Sequence, residues 1–399
     1  MNNQSKLAIH GGKPVRDSVL SYGKQWIDEK DIQAVVKILK SDFLTTGPEV
    51  AKFEEAIADY VGAKYAVSFS NGTAALHGAC YAAGVSIGDE VITTPMTFVA
   101  SANCILYTGG TPVFADIDPK TYNIDPYKVE QLVTSKTKAI IPVDFTGQPA
   151  ELDTIMTIAK EHNLIVIEDA AHALGAEYKG KKIGSISDMT MFSFHPVKHL
   201  TTGEGGIITT NNEEYYKKLL HFRTHGIIRE SSQLKEQHGP WYYEMQFLGY
   251  NYRLTDFQAA LGTSQLKKLN EFLELRKKYV NLYNDAFKNL PQIITPAEST
   301  HSTSSWHLYI IRLNLEKLHA SRKEIYEALL KENIGVNVHY IPVYLQPYYQ
   351  QLGYKKGLSP EAEKLYKEII TLPLFPAMEE KDFKDVIRAV KKVIAYYTK

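Results

Sequence analysis

One lysine lies in a loop between two predicted strands, where an ordinary solvated charge is not expected. Lys198 lies in the run SFHPVKHLTTGEGG, between a predicted strand at 189–194 and another at 206–209. The loop contains a proline and three glycines. Because a lysine amine can bond covalently to a carbonyl group, the position favours a role in binding a cofactor. Taken alone, the loop supports only that general hypothesis.

Two further polar side chains follow a buried strand. Asp169 and His172, in EDAAHALG, come directly after the apolar run at 164–167. Open α/β sheets bind ligands beyond the carboxyl ends of their strands, so both side chains are placed to contact one. The residues leave a simpler alternative open, in which Asp169 caps the next turn and His172 is structural.

The turn SNGTAAL at 70–76 is a third candidate, since a strand ends there and a helix begins. Gly72 lets the backbone approach a ligand closely, and free N–H groups at a helix start bind phosphate. An ordinary strand-to-helix turn capped by Thr73 has the same sequence pattern. The segment needs support from other residues to be a phosphate site.

Two other kinds of site are disfavoured by the same loop. His195 and His199 have the spacing of helical zinc ligands, but Pro196 and the loop context argue against a helix. We therefore predict no metal. The run at 203–206 is not the dinucleotide-binding glycine motif, and it precedes a strand rather than following one.

The composition argues against several classes of partner. The 399 residues carry 45 Lys plus Arg against 45 Asp plus Glu, so binding to nucleic acid or to a membrane surface has no electrostatic support. No apolar run approaches the roughly 20 residues of a membrane span, and no signal pattern opens the chain. Cys80 and Cys104 lack metal or redox spacing. We expect a cytoplasmic protein with reduced thiols.

The elements that must position these residues alternate between strand and helix, which predicts an α/β domain with a mainly parallel sheet. We place an N-terminal segment at 1–27, the large domain at 28–290 and a smaller α+β domain at 306–399. The predicted strands of the large domain are 65–69, 90–93, 111–115, 139–143, 164–168, 189–194 and 206–209. The predicted helices include 28–39, 73–82, 151–162, 213–222 and a long stretch at 255–290.

The smaller domain follows a loop rich in serine and threonine at 295–305. Its pattern predicts two strands, at 308–313 and 335–340. Helices are expected at 322–332, 360–369 and 382–397.

In their order, the segments GTAAL, EDAAHALG, SFHPVKHLTTGEGG and NYRLTDFQ resemble the DegT/DnrJ/EryC1/StrS family of sugar aminotransferases, over nearly the whole chain. The resemblance implies the type I aminotransferase fold that depends on pyridoxal 5'-phosphate (PLP). It also implies a homodimer with active sites at the subunit interface. L-glutamate would be the amino donor, and a nucleotide-linked keto sugar would be the acceptor.

The resemblance assigns roles to individual residues. Lys198 would form the Schiff base with the cofactor and move the proton, and Asp169 would pair with the pyridine nitrogen. Phe98 would stack on the ring and His172 would lie near its hydroxyl. The cofactor phosphate would bind residues of three segments: Gly72, Thr73, Ser193 and, from the neighbouring subunit, Asn251.

The substrate side is also implied by the resemblance. The candidate sugar-nucleotide contacts are Tyr22, Thr46, Gly47, Arg253, His339, Tyr340 and Phe375. Packing in the core or an interface is the alternative for the aromatic members of this set.

A narrower resemblance, in SFHPVKHLTTGEGG and the run at 338–344, points to a subgroup that aminates C4 of a UDP-linked 4-keto-6-deoxy-N-acetylhexosamine for pseudaminic acid. A dTDP-linked or other nucleotide-linked sugar is the alternative. A family dehydratase is disfavoured because those members replace the lysine with histidine. A noncatalytic regulator is the alternative from another class.

Overall fold

Strands and helices alternate along the first half of the chain, as the sequence predicts. A computed structural model describes residues 6–399, so the first five residues of the predicted segment 1–27 lie outside the described residues. The helices are α1 (Glu29–Leu39), α2 (Pro48–Val61), α3 (Gly72–Ala82), α4 (Ala100–Tyr107), α5 (Pro126–Leu132), α6 (Leu152–His162), α7 (Glu213–Phe222), α8 (Asp256–Leu266), α9 (Leu269–Phe287), α10 (Arg322–Lys331), α11 (Pro347–Gln351), α12 (Pro360–Glu368) and α13 (Glu380–Tyr397).

The strands of the large sheet begin and end within two residues of the predicted bounds. The strands are β1 (Tyr65–Phe69), β2 (Glu90–Thr93), β3 (Thr111–Phe114), β4 (Thr137–Ile141), β5 (Ile165–Asp169), β6 (Glu177–Tyr178), β7 (Lys181–Lys182), β8 (Met189–Ser193), β9 (Gly206–Thr210), β10 (Ile227–Ile228), β11 (Glu244–Met245), β12 (Ile293–Ile294), β13 (Ser302–Thr303), β14 (Tyr309–Leu313) and β15 (Ile369–Leu372).

A seven-stranded sheet lies at the centre, in the order β1-β9-β8-β5-β4-β2-β3. β9 runs antiparallel to β1 and β8, and the other neighbouring strands are parallel. Continuous apolar strands such as β5 suit this position because helices cover both faces of the sheet. The predicted mainly parallel sheet is confirmed.

The parallel strands bring three candidate segments to one edge of this sheet. Asp169 is the last residue of β5 and Ser193 is the last residue of β8. Gly72 opens α3 just after β1, which runs parallel to β8 because both pair antiparallel with β9. The carboxyl edge is where an open α/β sheet binds its ligand.

The long helix predicted at 255–290 is two helices, and this prediction is wrong at 267–268. Lys268 interrupts the helical path with φ −103° and ψ −3°. Its ammonium group lies 2.6 Å from Asp31 and 2.9 Å from Asp28 at the start of α1. The break therefore coincides with an ion pair that ties the α8–α9 junction to α1.

A second sheet, of order β12-β14-β15, carries the C-terminal part of the chain. The strand predicted at 335–340 is wrong, because this segment meets the sheet only through a bridge between Asn337 and Thr371. β15 takes the place of that strand beside β14. His339 and Tyr340 line a cavity instead.

A buried arginine ties α9 to the segments that flank β14 and β15 of the second sheet. Arg276, on α9, donates to the backbone oxygens of Trp306, His307 and Leu374 at 3.1–3.2 Å. Burial lowers the pKa of its guanidinium to about 9.

Among residues 6–399, no helix has both the length and the apolar character needed to cross a membrane.

Two carboxyl groups lie together inside the large sheet. Asp144 Oδ1 accepts from the Ala150 N–H at 2.9 Å, and Glu168 Oε2 accepts from the Thr190 hydroxyl at 2.8 Å. Burial and the nearby Glu168 raise the pKa of Asp144 well above 3.8. These effects favour one proton shared between Asp144 and Glu168 over two charged carboxylates.

We expect Asp144→Asn to make stability less dependent on pH. Stability from protonated Asp144 is present below its unfolded pKa and is lost as pH rises through the raised folded pKa. For one proton the free energy of unfolding falls by about 1.4 kcal/mol per pH unit. An amide keeps a donor at every pH, so this slope should disappear in denaturant titrations at a series of pH values. Equal slopes in both proteins would contradict the shared proton.

Candidate active site

A cavity of about 870 Å³ opens at the carboxyl edge of the large sheet. That volume falls in the range of small-molecule sites. Ten of the residues predicted from the sequence line it: Tyr22, Gly72, Thr73, Phe98, Asp169, His172, Ser193, Lys198, His339 and Tyr340. The structure thus brings together six segments that are far apart in the chain.

Lys198 faces this cavity from the loop between β8 and β9. Its side chain is half-buried because only the cavity side is open. Burial lowers the pKa of the Lys198 amine to about 8, and the charge of Asp169 opposes that change. A substantial fraction of the amine is therefore neutral near pH 8, which is the form that attacks a carbonyl.

Asp169 is nearly fully buried and is held on both carboxylate oxygens. The Ser101 hydroxyl donates to Oδ2 at 2.6 Å, and the Ala171 N–H donates to Oδ1 at 3.1 Å. Burial raises the pKa of Asp169, whereas these hydrogen bonds and Lys198 lower it. Its carboxylate could hold a protonated ring nitrogen, so this corner fits a pyridine cofactor.

The start of α3 forms a cradle for a small anion. The Asn71 side chain accepts from the Ala74 N–H at 2.8 Å. The first N–H groups of a helix have no acceptor within the helix. A Cβ atom on Gly72 would lie 3.3 Å from Ser193 Cβ and from Met191 Sδ. The free N–H groups and the Ser193 hydroxyl therefore share a space that fits a phosphate.

His172 lies deeper in the cavity and is neutral. Burial, together with the nearby Lys198, holds its pKa well below 6.5. Its Nε2 lies 3.2 Å from the Tyr340 hydroxyl, and its ring centroid is 4.4 Å from that of His307. Its buried Nδ1 has no hydrogen-bond partner within residues 6–399.

Five predicted residues lie outside this cavity. Thr46 and Arg253 line a second cavity of about 440 Å³, and Asn251 is exposed. The Gly47 N–H donates to Asp256 at 2.8 Å. Phe375 is 4 % exposed in the core around the second sheet, so its predicted contact with the sugar is not supported.

The sequence did not identify several residues that line or support the cavity. Ser101 contacts Asp169, and Thr97 lies 2.7 Å from Ser101, hydroxyl to hydroxyl. Asn337 and Glu204 also line the cavity. The one signal in the sequence that could have identified Thr97 and Ser101 is their closeness to the predicted residue Phe98.

Within residues 6–399, no group of three or more His, Cys, Asp or Glu side chains is arranged to hold a metal.

A half-buried lysine that faces a buried carboxylate beside a phosphate cradle is typical of PLP-dependent enzymes of fold type I. The sequence profile of the DegT/DnrJ/EryC1/StrS aminotransferase family matches residues 25–391, and the chain belongs to this family. It is a PLP-dependent sugar aminotransferase. The predicted family, fold class and cofactor are confirmed.

Similar proteins share nearly the full length of the chain. The UDP-4-amino-4,6-dideoxy-N-acetyl-beta-L-altrosamine transaminase of Campylobacter jejuni serotype O:23/36 is 42% identical, over 92% of this chain and 96% of its own. The structure of Helicobacter pylori PseC, an aminotransferase involved in the biosynthesis of pseudoaminic acid, matches with a TM-score of 0.89 and 35% identity, over 95% and 100%. The PMP form of the putative sugar aminotransferase Spr1654 from Streptococcus pneumoniae matches with a TM-score of 0.89 and 34% identity, over 94% and 99%.

We expect PLP loading into cofactor-free protein to speed up with pH and to level off above a midpoint near pH 8. The reason is that the Lys198 amine must be neutral to react, and its pKa is about 8 instead of the ordinary 10.5. Asp169→Asn removes a negative charge that favours the protonated amine, so its midpoint should be lower. Stopped-flow absorbance at a series of pH values measures the loading rate, and so the midpoint, in both proteins. A wild-type midpoint near 10.5, or an upward move in Asp169→Asn, would contradict this assignment.

Proposed function

We propose that the enzyme moves the amino group of L-glutamate to C4 of a nucleotide-linked 4-keto-6-deoxy sugar. A UDP-linked N-acetylhexosamine of pseudaminic acid biosynthesis is the favoured acceptor. The similarity to the Campylobacter jejuni transaminase and to PseC supports this acceptor. The observation that carries the reaction type is the Lys198 amine facing Asp169 in one cavity.

Lys198 and Asp169 divide the chemical work in this proposal. When bound, PLP accepts an amino group and delocalises the electron pair left by proton removal. Lys198 would hold the cofactor covalently and, once released, would carry the proton between the two carbons bonded to the transferred nitrogen. A pKa near 8 suits both directions of this transfer near neutral pH. Asp169 keeps the ring nitrogen protonated.

The remaining cofactor residues orient the ring and hold its phosphate. We assign the phosphate to the N–H groups of Gly72 and Thr73 and to the Ser193 hydroxyl, on the basis of the cradle at the start of α3. Phe98 is 57 % exposed on the cavity wall, so its ring face is free to stack. His172 lines the same cavity, and we assign it to the ring hydroxyl.

Three aromatic side chains form the candidate sugar wall. Tyr22 lies against His339, with ring centroids 5.3 Å apart. His339 Nδ1 lies 2.8 Å from the Thr371 hydroxyl, which fixes the ring of His339. Tyr340 is held by His172. Rings fixed in this way can present flat and polar surfaces to a sugar. We therefore assign the binding of the substrate's sugar to this wall.

We further propose that the enzyme is a homodimer with shared active sites. Asn251 lies outside the cavity of its own chain and pairs with Thr224, which lines the second cavity together with Thr46 and Arg253. Nearby, three large apolar side chains are exposed: Trp241, Met245 and Leu248. Exposed apolar surface of this kind marks a protein interface. These residues would complete the neighbouring subunit's site.

Two coarser assignments belong to the same proposal. We assign 28–290 to a cofactor-binding domain and 306–399 to a smaller domain. Separate hydrophobic clusters lie around the two sheets, and the C-terminal half of α9 packs in the cluster of the second sheet. Cys80 and Cys104 are free and buried, which suits a reducing compartment such as the cytoplasm.

Mixed dimers test the shared site. Lys198→Ala and Asn251→Ala should each give a poorly active homodimer, because each removes one element of both sites. A dimer of one chain of each kind keeps one complete site, so co-expression with two affinity tags should restore amino transfer. The control pairs Asn251→Ala with the double variant, which leaves no complete site. Absence of recovery in the first pair would rule out exchange of Asn251 between subunits.

A substrate screen tests the acceptor. Protein loaded with pyridoxamine phosphate is mixed with UDP-linked and dTDP-linked 4-keto-6-deoxy sugars, and the spectrum of the PLP form is followed. We expect it to return with the UDP-linked N-acetylhexosamine and, after turnover with ¹⁵N-glutamate, the label to appear in the sugar. Turnover only with a dTDP-linked sugar would overturn the UDP assignment. Absence of labelled product with every keto sugar would overturn the function.

A further inference from the structure

Two hydroxyl groups form a chain of hydrogen bonds that leads to Asp169. Ser101, in the first turn of α4, is fully buried, and Thr97 is 3 % exposed. The Ser101 oxygen lies 2.6 Å from Asp169 Oδ2 and 2.7 Å from the Thr97 oxygen. Three polar groups are therefore connected at the wall of the cavity.

The carboxylate determines which hydroxyl group donates and which accepts in these two hydrogen bonds. An ionised carboxylate only accepts, so Ser101 is the donor to Asp169. The single hydroxyl proton of Ser101 is then used, and its oxygen accepts the proton of Thr97. The other acceptor near Ser101 is the Phe98 backbone oxygen at 3.3 Å. That contact is longer and uncharged, so the bond to Asp169 prevails.

Few charges face Asp169 from the surrounding elements. The ionisable groups that act on it or feel its charge are Lys198, Asp144, Cys104 and Tyr340. Burial raises the pKa of each of the last three, so all three are uncharged near neutral pH. Lys198 is the one cation of this set. Among the effects that oppose burial, the Ser101 hydrogen bond is the largest.

The same turn carries the aromatic ring proposed to stack on the cofactor. The Ser101 N–H donates to the Phe98 backbone oxygen at 3.3 Å, which closes the turn that begins α4. Phe98 points into the cavity and Ser101 points to Asp169. One short segment therefore places a ring face and a carboxylate relative to each other.

We propose that Ser101 is a positioning residue that keeps Asp169 ionised and aimed at the ring nitrogen of the cofactor, and that Thr97 orients Ser101. This inference rests on the proposed role of Asp169. Neither hydroxyl touches the reacting atoms. Their effect is on the strength and pH range of cofactor binding.

The test is PLP binding to cofactor-free, full-length protein, followed by tryptophan fluorescence over a range of pH. Binding should weaken on the acid side, as Asp169 becomes protonated. We expect Ser101→Ala to move this acid midpoint upward by about one to two pH units, because a hydrogen bond to a charged group is lost. Thr97→Val should move the midpoint in the same direction by less. Ser101→Thr, which keeps the hydroxyl, should restore the wild-type midpoint.

Ser68→Ala is the matched control. Ser68 is equally buried and also donates to a carboxylate, Glu54, at 2.6 Å, but it lies outside the cavity. Its loss removes the same kind of bond, so the acid midpoint of PLP binding should stay at the wild-type value. Thermal unfolding of each variant confirms that it is folded at the pH values used.

Two outcomes separate this inference from the proposed role of Asp169. If Asp169→Asn binds PLP with the wild-type affinity and pH profile, the role of Asp169 fails and the inference fails with it. If Asp169→Asn weakens binding but Ser101→Ala and Thr97→Val leave the acid midpoint unchanged, only the inference is overturned. A uniform loss of affinity at every pH in Ser101→Ala, without a midpoint shift, also overturns it.

Discussion

The charge interaction between Lys198 and Asp169, which line the same cavity, is the interaction on which the site depends. Burial disfavours both charges, since it lowers the pKa of the amine and raises that of the carboxyl group. Each charge opposes the effect of burial on the other. The amine can therefore react near neutral pH while the carboxylate stays ionised. In a solvated loop the amine would keep its ordinary pKa and stay protonated near neutral pH.

The large sheet creates this situation through the alternation of side chains along β5. Glu168 and Asp169 are neighbours in sequence and therefore point to opposite faces. Glu168 meets Asp144, and these two carboxyl groups share a proton. Asp169 accepts hydrogen bonds from Ser101 and from the Ala171 N–H, and it feels the charge of Lys198. All three interactions favour its ionised form. Two adjacent carboxyl groups thus have different hydrogen-bond partners because they point to opposite faces of the sheet.

The sequence predicted the large sheet well because its strands are continuous apolar runs with polar residues at their ends. The same pattern placed Asp169, Ser193 and Gly72 at one edge. It failed at 335–340, whose side chains turn to the cavity, and at Lys268, where an ion pair accompanies a helix break. No local pattern distinguishes the core residue Phe375 from the cavity residue Tyr340. Nothing in the sequence links Ser101 to a residue 68 positions away.

Trapping the cofactor on its lysine tests the central claim most directly. Borohydride reduction of PLP-loaded protein makes the bond between cofactor and lysine permanent, and proteolysis followed by mass spectrometry locates it. The account predicts a phosphopyridoxyl group on the peptide that carries Lys198, and its loss in Lys198→Ala. A group on a different lysine, or equal labelling of Lys198→Ala, would contradict the account.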